Sequence, residues 1–425
     1  MITSRLIVNL LLILVAAWIL GNLFVRFGLP AVLGELVAGI ILGPPLLGLV
    51  TGSPAIELIS ELGIFFVMFY TGMEMDPKEL IEHIWPSLFV AVGGFILPFV
   101  LGYLTVRIFD GSVYQALFVG MCISITAIAV QSVILQSMRI HRTALGHIII
   151  GAAVADDILA LIGLSILFGL AKSGTIHAME LSIVVLKVVL FFGLTFFLGQ
   201  FVMPRLTAKL HDRAGKAFTF AMITALAMAY FAELAGLHLI IGAFLAGQLV
   251  RREIMDQKIY ESISDRFYAL SYGFLLPIFF ASLSFHLRFY WDTSFLIFTA
   301  TLTVVAIIGK LIGCGLGLAV FRRDAWESVI VGFGMNGRGA VELVVATVVL
   351  KLSDELVTKG LISEPLLTQP QFSALILMAF ITTLLAPISL KWSVMKACKG
   401  DEKAEFCRLM VMDSDLETEI KGKKI

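Results

Sequence analysis

Apolar stretches of roughly 15 to 30 residues recur along almost the whole chain, and this pattern restricts the fold more than any other feature of the sequence. About 20 consecutive apolar residues are enough for a helix to cross a bilayer. Only 15% of the 425 residues are charged, against roughly 25% in a soluble domain, so the chain cannot supply the polar exterior of a soluble fold. The sequence therefore predicts an all-α polytopic membrane protein. Its 31 basic and 31 acidic residues cancel, which gives no indication of a nucleic-acid partner.

Thirteen such stretches predict about thirteen membrane-spanning helices, numbered here as spans 1 to 13. Their approximate limits are 5–25, 31–50, 54–75, 84–106, 112–136, 144–171, 178–203, 216–235, 237–250, 267–287, 293–321, 325–350 and 370–395. Span 9 is short for a full crossing, which predicts a tilted or distorted helix. Thirteen divides into six spans, one linker and six spans. A second set displaced by seven spans runs in the opposite direction, which is the inverted-repeat plan of many secondary transporters.

The distribution of Lys and Arg between the connections predicts the orientation of the chain. Fourteen of these residues follow spans 1, 3, 5, 7, 9 and 11, whereas six lie on the opposite side, before the basic C-terminal tail is counted. Cytoplasmic connections carry the excess of positive charge. The sequence therefore predicts a multi-pass protein of the cell (inner) membrane, with its C-terminus in the cytoplasm and its N-terminus outside.

A few charged residues lie inside the predicted spans, where each costs about 2.5–3.5 kcal/mol at the bilayer centre. The deepest of them are Glu35, Asp156, Asp157, Lys187, Lys310, Arg338 and Glu342. Asp156 and Asp157 lie at the middle of span 6, and Lys310 lies within about one turn of the centre of span 11. Arg338 and Thr126 are near the centres of spans 12 and 5. Charged residues with separate structural roles would be expected at different depths in the membrane. Their common depth therefore predicts an ion site at the membrane midplane.

Asp156 and Asp157 are adjacent on one helix and therefore point about 100° apart. One of them can pair with a cation while the other faces a cavity, and Lys310 is favoured as a switchable partner of Asp156. Burial disfavours the charged form of a spare carboxylate, which can then exchange a proton for a metal cation. The alternative interpretation is a wholly structural cluster of salt bridges.

Two spans contain residues that predict an interruption of the helix near the membrane centre. Span 12 contains GFGMNGRGAVEL, in which four glycines surround Asn336 and Arg338. Glycine loosens a helix and Asn prefers helix ends. Span 5 contains SITAIA, with Ser124 and Thr126, which is a weaker signal because Ser and Thr are common where membrane helices meet. Unwound midpoints expose carbonyl groups and half-helix ends, which suit ions.

The remaining charged residues in the spans have mainly structural interpretations. Glu35 in span 2 can pair with Arg338 or line a funnel, and a structural role is favoured. Arg338 and Glu342 are four residues apart and can pair if the helix is intact there, which would stabilise the break. Lys187 lies on the linker span and is expected to extend toward the headgroups.

Cysteines and glycines complete the pattern. No metal or redox spacing relates the four cysteines, which are expected to be small core residues and free thiols: Cys122, Cys314, Cys398 and Cys407. Glycines recur at every fourth position of span 11, at residues 309, 313 and 317, and predict a smooth face for close helix packing. The chain contains no nucleophile–base set and no nucleotide-binding glycine motif, so neither an enzyme nor a cofactor is predicted.

Four segments resemble signature motifs of the monovalent cation:proton antiporter-2 family, within the bacterial and archaeal sodium/proton exchangers. LPAVLGELVAGIILGP (29–44) is similar to the second-helix signature of this family, and ELGIFFVMFYTGMEMD (61–76) to its third. GAAVADDILAL (151–161) resembles its double-aspartate motif, the most specific of the four. IIGKLIG (307–313) resembles the segment that carries the family's lysine. The resemblance covers residues from about 5 to 395.

The resemblance implies the sodium/proton antiporter fold, with two crossing broken helices formed by spans 5 and 12. It implies Asp157 as the ion-binding carboxylate, Asp156 as the partner of Lys310, and a contribution of Thr126 from the first broken helix. On this basis the residues expected to bind the ion are Asp157, Asp156, Thr126 and Ser124, the two aspartates being the sodium ligands. Those expected to support the broken helices are Asn336, Arg338, Glu342 and Glu35.

The resemblance also implies two units that move relative to each other. A panel would form a homodimer, and a core would move against it like an elevator. The expected limits are 1–83 and 216–291 for the panel, 84–171 and 292–395 for the core, 172–215 for the linker helix and 396–425 for a cytoplasmic tail. The expected partners are monovalent cations, protons, membrane lipid and a second copy of the chain.

Sodium/proton exchange, with a part in pH homeostasis, is the function that these features favour. Potassium/proton exchange is the alternative, because GMNGRGAVEL differs from the proline-bearing segment of the sodium exchangers. The 30 residues of the tail are too few for the nucleotide-binding domain of the glutathione-gated potassium systems. A solute symporter would need a polar substrate pocket, and a channel would need filter loops, neither of which is visible. A nonenzymatic sensor is the remaining alternative.

Overall fold

A computed structural model of the chain describes residues 4–27, 29–173, 178–207, 214–250, 257–286, 292–321, 323–359, 362, 364–400 and 407. Within these ranges all regular secondary structure is helical, as the sequence predicts. The α-helices are α1 (Ser4–Arg26), α2 (Ala31–Leu42), α3 (Pro54–Glu74), α4 (Pro77–Glu82), α5 (Ile84–Ile108), α6 (Val113–Ser124), α7 (Ile128–Ser137), α8 (Ala144–Ser173), α9 (Ala178–Phe197), α10 (Met203–Thr207), α11 (Ala214–Ala235), α12 (Leu239–Leu249), α13 (Gln257–Leu270), α14 (Leu276–Leu283), α15 (Thr293–Ala319), α16 (Ala325–Gly334), α17 (Ala340–Thr358) and α18 (Gln369–Gly400). Short π-helical segments, Leu198–Val202 and Ser271–Leu275, join α9 to α10 and α13 to α14.

Each of the thirteen predicted spans contains helix. In the described part of the chain, 10 helical stretches are long and apolar enough to cross a membrane. Two further apolar helices, α2 and α12, are shorter, and α16 with α17 fills the position of span 12. The all-α architecture predicted from the apolar stretches is therefore confirmed.

Several spans differ from their predicted limits; span 12, for example, is predicted to end at residue 350, whereas α17 continues to Thr358. Span 2 is predicted to reach residue 50, but α2 ends at Leu42 because Pro44 and Pro45 have no N–H to continue the helix. Span 10 is predicted from residue 267, but α13 begins at Gln257. Its first turns carry polar residues on one face, so an apolar stretch marks only the later part of the helix.

Two spans are interrupted near their midpoints, at the segments singled out in the sequence. Non-helical residues 125–127 separate α6 from α7, and residues 335–339 separate α16 from α17. The interruptions touch each other, because the N–H of Ala127 donates to the carbonyl of Gly337 with 3.1 Å between nitrogen and oxygen. These two segments together are called the crossing below. The crossed broken helices of the predicted fold are therefore present.

Helix α15 packs directly on the backbone of α5 through its glycines. A Cβ added to Gly313 would lie 2.2 Å from the carbonyl oxygen of Gly93, and one added to Gly317 would lie 2.3 Å from that of Phe89. Only glycine permits this approach, so the predicted smooth face is confirmed. Lys310 lies on the same helix and is completely buried.

The helices pack in two groups. The first group contains α5, α6, α8, α15, α16 and α18, and the second contains α1, α2, α3, α11, α12 and α14. The division of the chain into a core and a panel stays a prediction, because α7 contacts a helix of each group and α4, α13 and α17 are in neither. Their behaviour as separately moving units stays a prediction.

The C-terminal cysteines differ from the sequence-based expectation. Cys398 and Cys407 form a disulfide with 5.5 Å between their Cα atoms, so their interpretation as free thiols is wrong. Their spacing of nine residues matches no redox motif, so the sequence does not indicate the pair. Cys122 and Cys314 are buried free thiols, as expected.

Candidate functional site

Lys310 and Asp156 form a buried ion pair between α15 and α8. The Nζ atom of Lys310 lies 3.1 Å from Oδ2 of Asp156, and neither side chain is exposed. Each charge offsets the other, which lowers the cost of burying both. The geometry agrees with the expected pairing, whereas its opening during transport stays a prediction.

Asp157, the next residue on α8, has no comparable partner. Its side chain is buried, and neither carboxylate oxygen has a hydrogen-bond partner among the described residues. An isolated buried charge is far more costly than a compensated one, so such a carboxylate needs a proton, a water molecule or a cation. Asp157 is therefore the acid in excess beside the Asp156–Lys310 pair.

The first interruption contains the two hydroxyl groups predicted to bind the ion. Thr126 is fully buried, and its Oγ1 has no partner among the described residues. Ser124 donates its hydroxyl to the carbonyl of Gly120 in its own helix, with 2.8 Å between the oxygens. Of the two hydroxyl groups, that of Thr126 is therefore the one without a hydrogen bond among the described residues.

Arg338 connects the second interruption to its surroundings. Its Nη1 donates to the carbonyl of Ile125 at 3.2 Å and lies 3.7 Å from Oε2 of Glu342. Its backbone N–H donates to Oγ1 of Thr383, which in turn donates to the carbonyl of Arg338. The Arg338–Glu342 pair forms although residue 338 precedes the start of α17, so an intact helix is not required for it.

Several carbonyl groups at the crossing accept hydrogen bonds from the protein itself. Arg338 donates to the carbonyl of Ile125, and both Ala127 and Gln131 donate to that of Gly337. The expectation that unwound midpoints offer carbonyls to ions stays a prediction, with these carbonyls already accepting hydrogen bonds from the protein. Side-chain oxygens at or next to the crossing without a hydrogen-bond partner among the described residues include those of Thr126, Gln131, Asn336 and Glu342.

No sequence pattern singles out Gln131 or Thr383. Both are buried polar residues in apolar helices, and both hold the backbone of the second interruption. A search for charges in the spans passes over neutral amides and hydroxyls. An inventory of every buried hydrogen-bonding group in spans 5 and 13 would have included them.

Glu35 does not pair with Arg338, whose ion pair is with Glu342 instead. It lies buried on α2, which packs against α1 and α14, and its Oε2 has no partner among the described residues. The predicted role of Glu35 in supporting the broken helix therefore does not involve an ion pair with Arg338. Lys187 is exposed on α9, and its extension toward the headgroups stays a prediction.

Polar contacts join α7 and the connection after it to α3 and to the π-helical segment Ser271–Leu275, at the end predicted to be cytoplasmic. Gln136 on α7 donates to Oγ1 of Thr71 on α3 at 3.0 Å and accepts a hydrogen bond from the hydroxyl of Tyr272. Glu74, at the end of α3, forms an ion pair with Arg142 in the connection after α7. These contacts would have to break if α7 moved past α3.

His141 lies beside Arg142 in the same connection. Burial, together with the smaller effect of the neighbouring His147, lowers the pKa of its imidazole to about 4. His141 is therefore uncharged near neutral pH, and Arg142 supplies the positive charge that meets Glu74.

The fold and the site together define a class of protein: a polytopic helical membrane protein with two crossing broken helices and two adjacent buried aspartates. Among the described residues, one of these aspartates is paired with a lysine and the other has no partner. The profile of the family described as "Sodium/hydrogen exchanger, transmembrane" matches residues 10–396. The chain belongs to this family of transporters and is a multi-pass membrane protein.

Individual relatives cover nearly the whole chain. It is 33% identical over 384 residues to the Na(+)/H(+)-K(+) antiporter GerN of Bacillus cereus, covering 90% of this chain and 94% of the relative. It is 30% identical over 390 residues to a Na(+)/H(+) antiporter of Enterococcus hirae, covering 91% and 97%. The solved structure of the sodium proton antiporter MjNhaP1 from Methanocaldococcus jannaschii at pH 8 matches with a TM-score of 0.63 at 17% identity, covering 93% and 99%. That likeness confirms the predicted antiporter fold.

Proposed function

We propose that this chain is a secondary-active antiporter that exchanges sodium ions for protons across the cell membrane. The observation that carries the proposal is Asp157, a buried carboxylate without a protein partner among the described residues, beside Asp156, which Lys310 neutralises. A proton and a cation compete for the same oxygens of Asp157. Binding of one therefore requires release of the other, which couples their movements.

The proposed sodium ligands are oxygens at the membrane centre. Asp157 supplies the charge, Thr126 supplies a hydroxyl with no other partner among the described residues, and Ser124 and Asp156 add further oxygens. Hard cations prefer oxygen ligands of this kind. The second broken helix supports the site from the other side through Asn336, Arg338 and Glu342.

Potassium/proton exchange is the second candidate. It is supported by the name of the relative from Bacillus cereus, which includes potassium as well as sodium. Both cations can be held by a carboxylate and neutral oxygens, and selectivity depends on the spacing and number of those oxygens. The competition at Asp157 couples either cation to protons.

The proposed cycle is elevator-like, with residues 84–171 and 292–395 moving against a panel of residues 1–83 and 216–291. The packing of the helices in two groups supports this division, as does the small set of polar contacts between them. We also propose that the panel forms a homodimer. The outward face of α1 is apolar, with Trp18 and Leu11 largely exposed, which suits contact with a second copy or with lipid.

Exchange in proteoliposomes tests the function directly. With a proton gradient imposed and a fluorescent pH indicator inside, addition of sodium is expected to dissipate the gradient in vesicles that contain the protein and not in empty vesicles. Lithium and potassium are added in parallel, and the most effective cation identifies the substrate. A gradient that no monovalent cation dissipates would contradict the proposal.

The proposed orientation places the C-terminus in the cytoplasm and the N-terminus outside the inner membrane, in line with the excess of Lys and Arg after odd-numbered spans. A reporter that is active only in the cytoplasm is expected to work when fused after Ile425. One that needs export is expected to be silent at the same position. The reverse pattern would overturn the orientation without affecting the exchange mechanism.

A further inference from the structure

A neutral side chain, Gln131 on α7, links the two interruptions at the crossing. Its Nε2 donates to the carbonyl of Gly337 at 3.2 Å, and the N–H of Ala127 donates to the same carbonyl at 3.1 Å. Gln131 is completely buried, and its Oε1 has no partner among the described residues. The amide nitrogen of Gln131 is therefore hydrogen-bonded to the second broken helix, in the buried interior of the protein.

The packing around Gly337 shows how closely this amide is fitted. A Cβ added to Gly337 would lie 2.5 Å from Nε2 of Gln131 and 3.0 Å from its Cδ. Any side chain at position 337 would therefore displace the amide. The glycine and the glutamine form one contact, which a change at either position would break.

The link matters because of what precedes Ala127 in the chain. Thr126, the proposed cation ligand, is its immediate neighbour, and the residues of this segment are not held by regular helical hydrogen bonds. Their position relative to the second interruption depends on the bonds to Gly337 and on the bond from Arg338 to Ile125. Sites work when such supporting contacts hold the binding groups within about 0.5 Å of the productive geometry.

We propose that Gln131 is a positioning residue for cation exchange: its amide clamps the first interruption against Gly337 and so holds Thr126 where it contacts the ion. The proposal rests on the function proposed above and requires no contact between Gln131 and the ion. Without the clamp the ligands keep their chemistry but lose their fixed spacing. The site then binds its cation more weakly and discriminates less between sodium and potassium, because selection by ion size depends on that spacing.

Gln131→Leu tests the proposal, with Gln248→Leu as a matched control. Gln248 is a second buried glutamine, on α12 in the other helix group, and its Nε2 has no partner among the described residues. We expect Gln131→Leu to raise the KM for the cation about tenfold, as for the loss of one buried hydrogen bond, with a smaller change in the maximal rate. The ratio of sodium to potassium KM values should move toward one. Gln248→Leu should leave both quantities near those of the wild type.

A double-mutant comparison separates the clamp from general damage. Gly337→Ala pushes the same amide away, so combining it with Gln131→Leu should cost little more than either change alone. Gly339→Ala is the control glycine, because an added Cβ there meets Val130 and Ala127 rather than Gln131. Its effect should add to that of Gln131→Leu. If Gln131→Leu does not fold, Gly337→Ala alone provides the measurement of KM and selectivity.

The outcomes are distinguishable in one set of vesicles. Unchanged cation KM and selectivity in folded Gln131→Leu overturn the proposal, as does an equal change in Gln248→Leu. Strictly additive effects of Gly337→Ala and Gln131→Leu also overturn it. If the wild type exchanges no cation, the proposed function and the role of Gln131 are both overturned. If the wild type does exchange cations, the comparison with Gln131→Leu tests the role of Gln131 alone.

Discussion

Asp157→Asn is expected to abolish cation/proton exchange while leaving the protein folded. The substitution keeps the shape of the side chain but removes its charge and its titration, and no ion pair is lost because Asp157 forms none among the described residues. Without a group that alternates between a proton and a cation, the coupling has no chemical basis. Exchange should fall to the level of empty vesicles, and the midpoint of thermal unfolding in detergent should stay within a few degrees.

Asp324→Asn is a suitable control for this experiment. Asp324 caps α16 by accepting a hydrogen bond from the N–H of Trp326 at 3.0 Å, and Asn caps helices equally well. The control should therefore transport like the wild type. Exchange at the wild-type rate by Asp157→Asn would move the titrating role to another buried acid, of which Glu35 is the next to examine because its Oε2 also has no partner among the described residues.

Much of the fold follows from features that the sequence displays directly. The cost of exposing the backbone to lipid forces every apolar stretch of sufficient length into a helix, so counting such stretches predicts the spans. Four glycines around Asn336 and Arg338 indicate the second interruption, since each weakens the helix locally. The glycines of α15 likewise indicate where another backbone approaches, and α5 is found there.

The midplane charges are predictable for a different reason. Few groups are as costly in a membrane as an aspartate or a lysine, so their presence at one depth points to a shared site. Asp156 and Lys310 illustrate this, because they are 154 residues apart in the chain and yet 3.1 Å apart in the structure. Which of two adjacent aspartates faces the lysine could not be derived from spacing alone. The choice of Asp156 is a hypothesis that the resemblance also implies, and the geometry agrees with it.

Neutral contacts at the crossing were beyond the reach of the sequence pattern. Gln131 and Thr383 look like ordinary polar residues of membrane helices, and their importance comes from distances to Gly337 and Arg338 that no periodicity encodes. The disulfide between Cys398 and Cys407 was missed for the same reason. Pairing depends on the positions of the two sulfur atoms in space, whereas the spacing of the two residues resembles no known motif.

Lys310 is expected to determine whether exchange moves net charge. A single carboxylate that trades one proton for one sodium ion moves none. If the Asp156–Lys310 pair opens when sodium binds, Asp156 can join the cation, and the proton that Lys310 carries becomes the second proton available for exchange. Two protons would then exchange for one sodium ion. The membrane potential would drive such a cycle with about 2.3 kcal/mol per net charge per 100 mV.

Currents on a solid-supported membrane measure this directly. Wild-type protein should give transient currents after sodium jumps, and Lys310→Gln should give none, whether it exchanges electroneutrally or not at all. Lys359→Gln is the control, since Lys359 is an exposed lysine that pairs with Glu355 four residues away. Its currents should equal those of the wild type, because exposed pairs contribute little.

The single variant leaves Asp156 buried without its partner, and breaking a buried pair in this way typically costs about 3–5 kcal/mol of stability. The double variant Asp156→Asn with Lys310→Gln removes both charges and avoids that cost. It should retain exchange through Asp157 and carry no current, which separates the loss of charge movement from loss of the fold. A wild type that exchanges sodium actively without any current would instead show that Lys310 stays protonated and only braces α15 against α8, with Asp157 alone performing an electroneutral exchange.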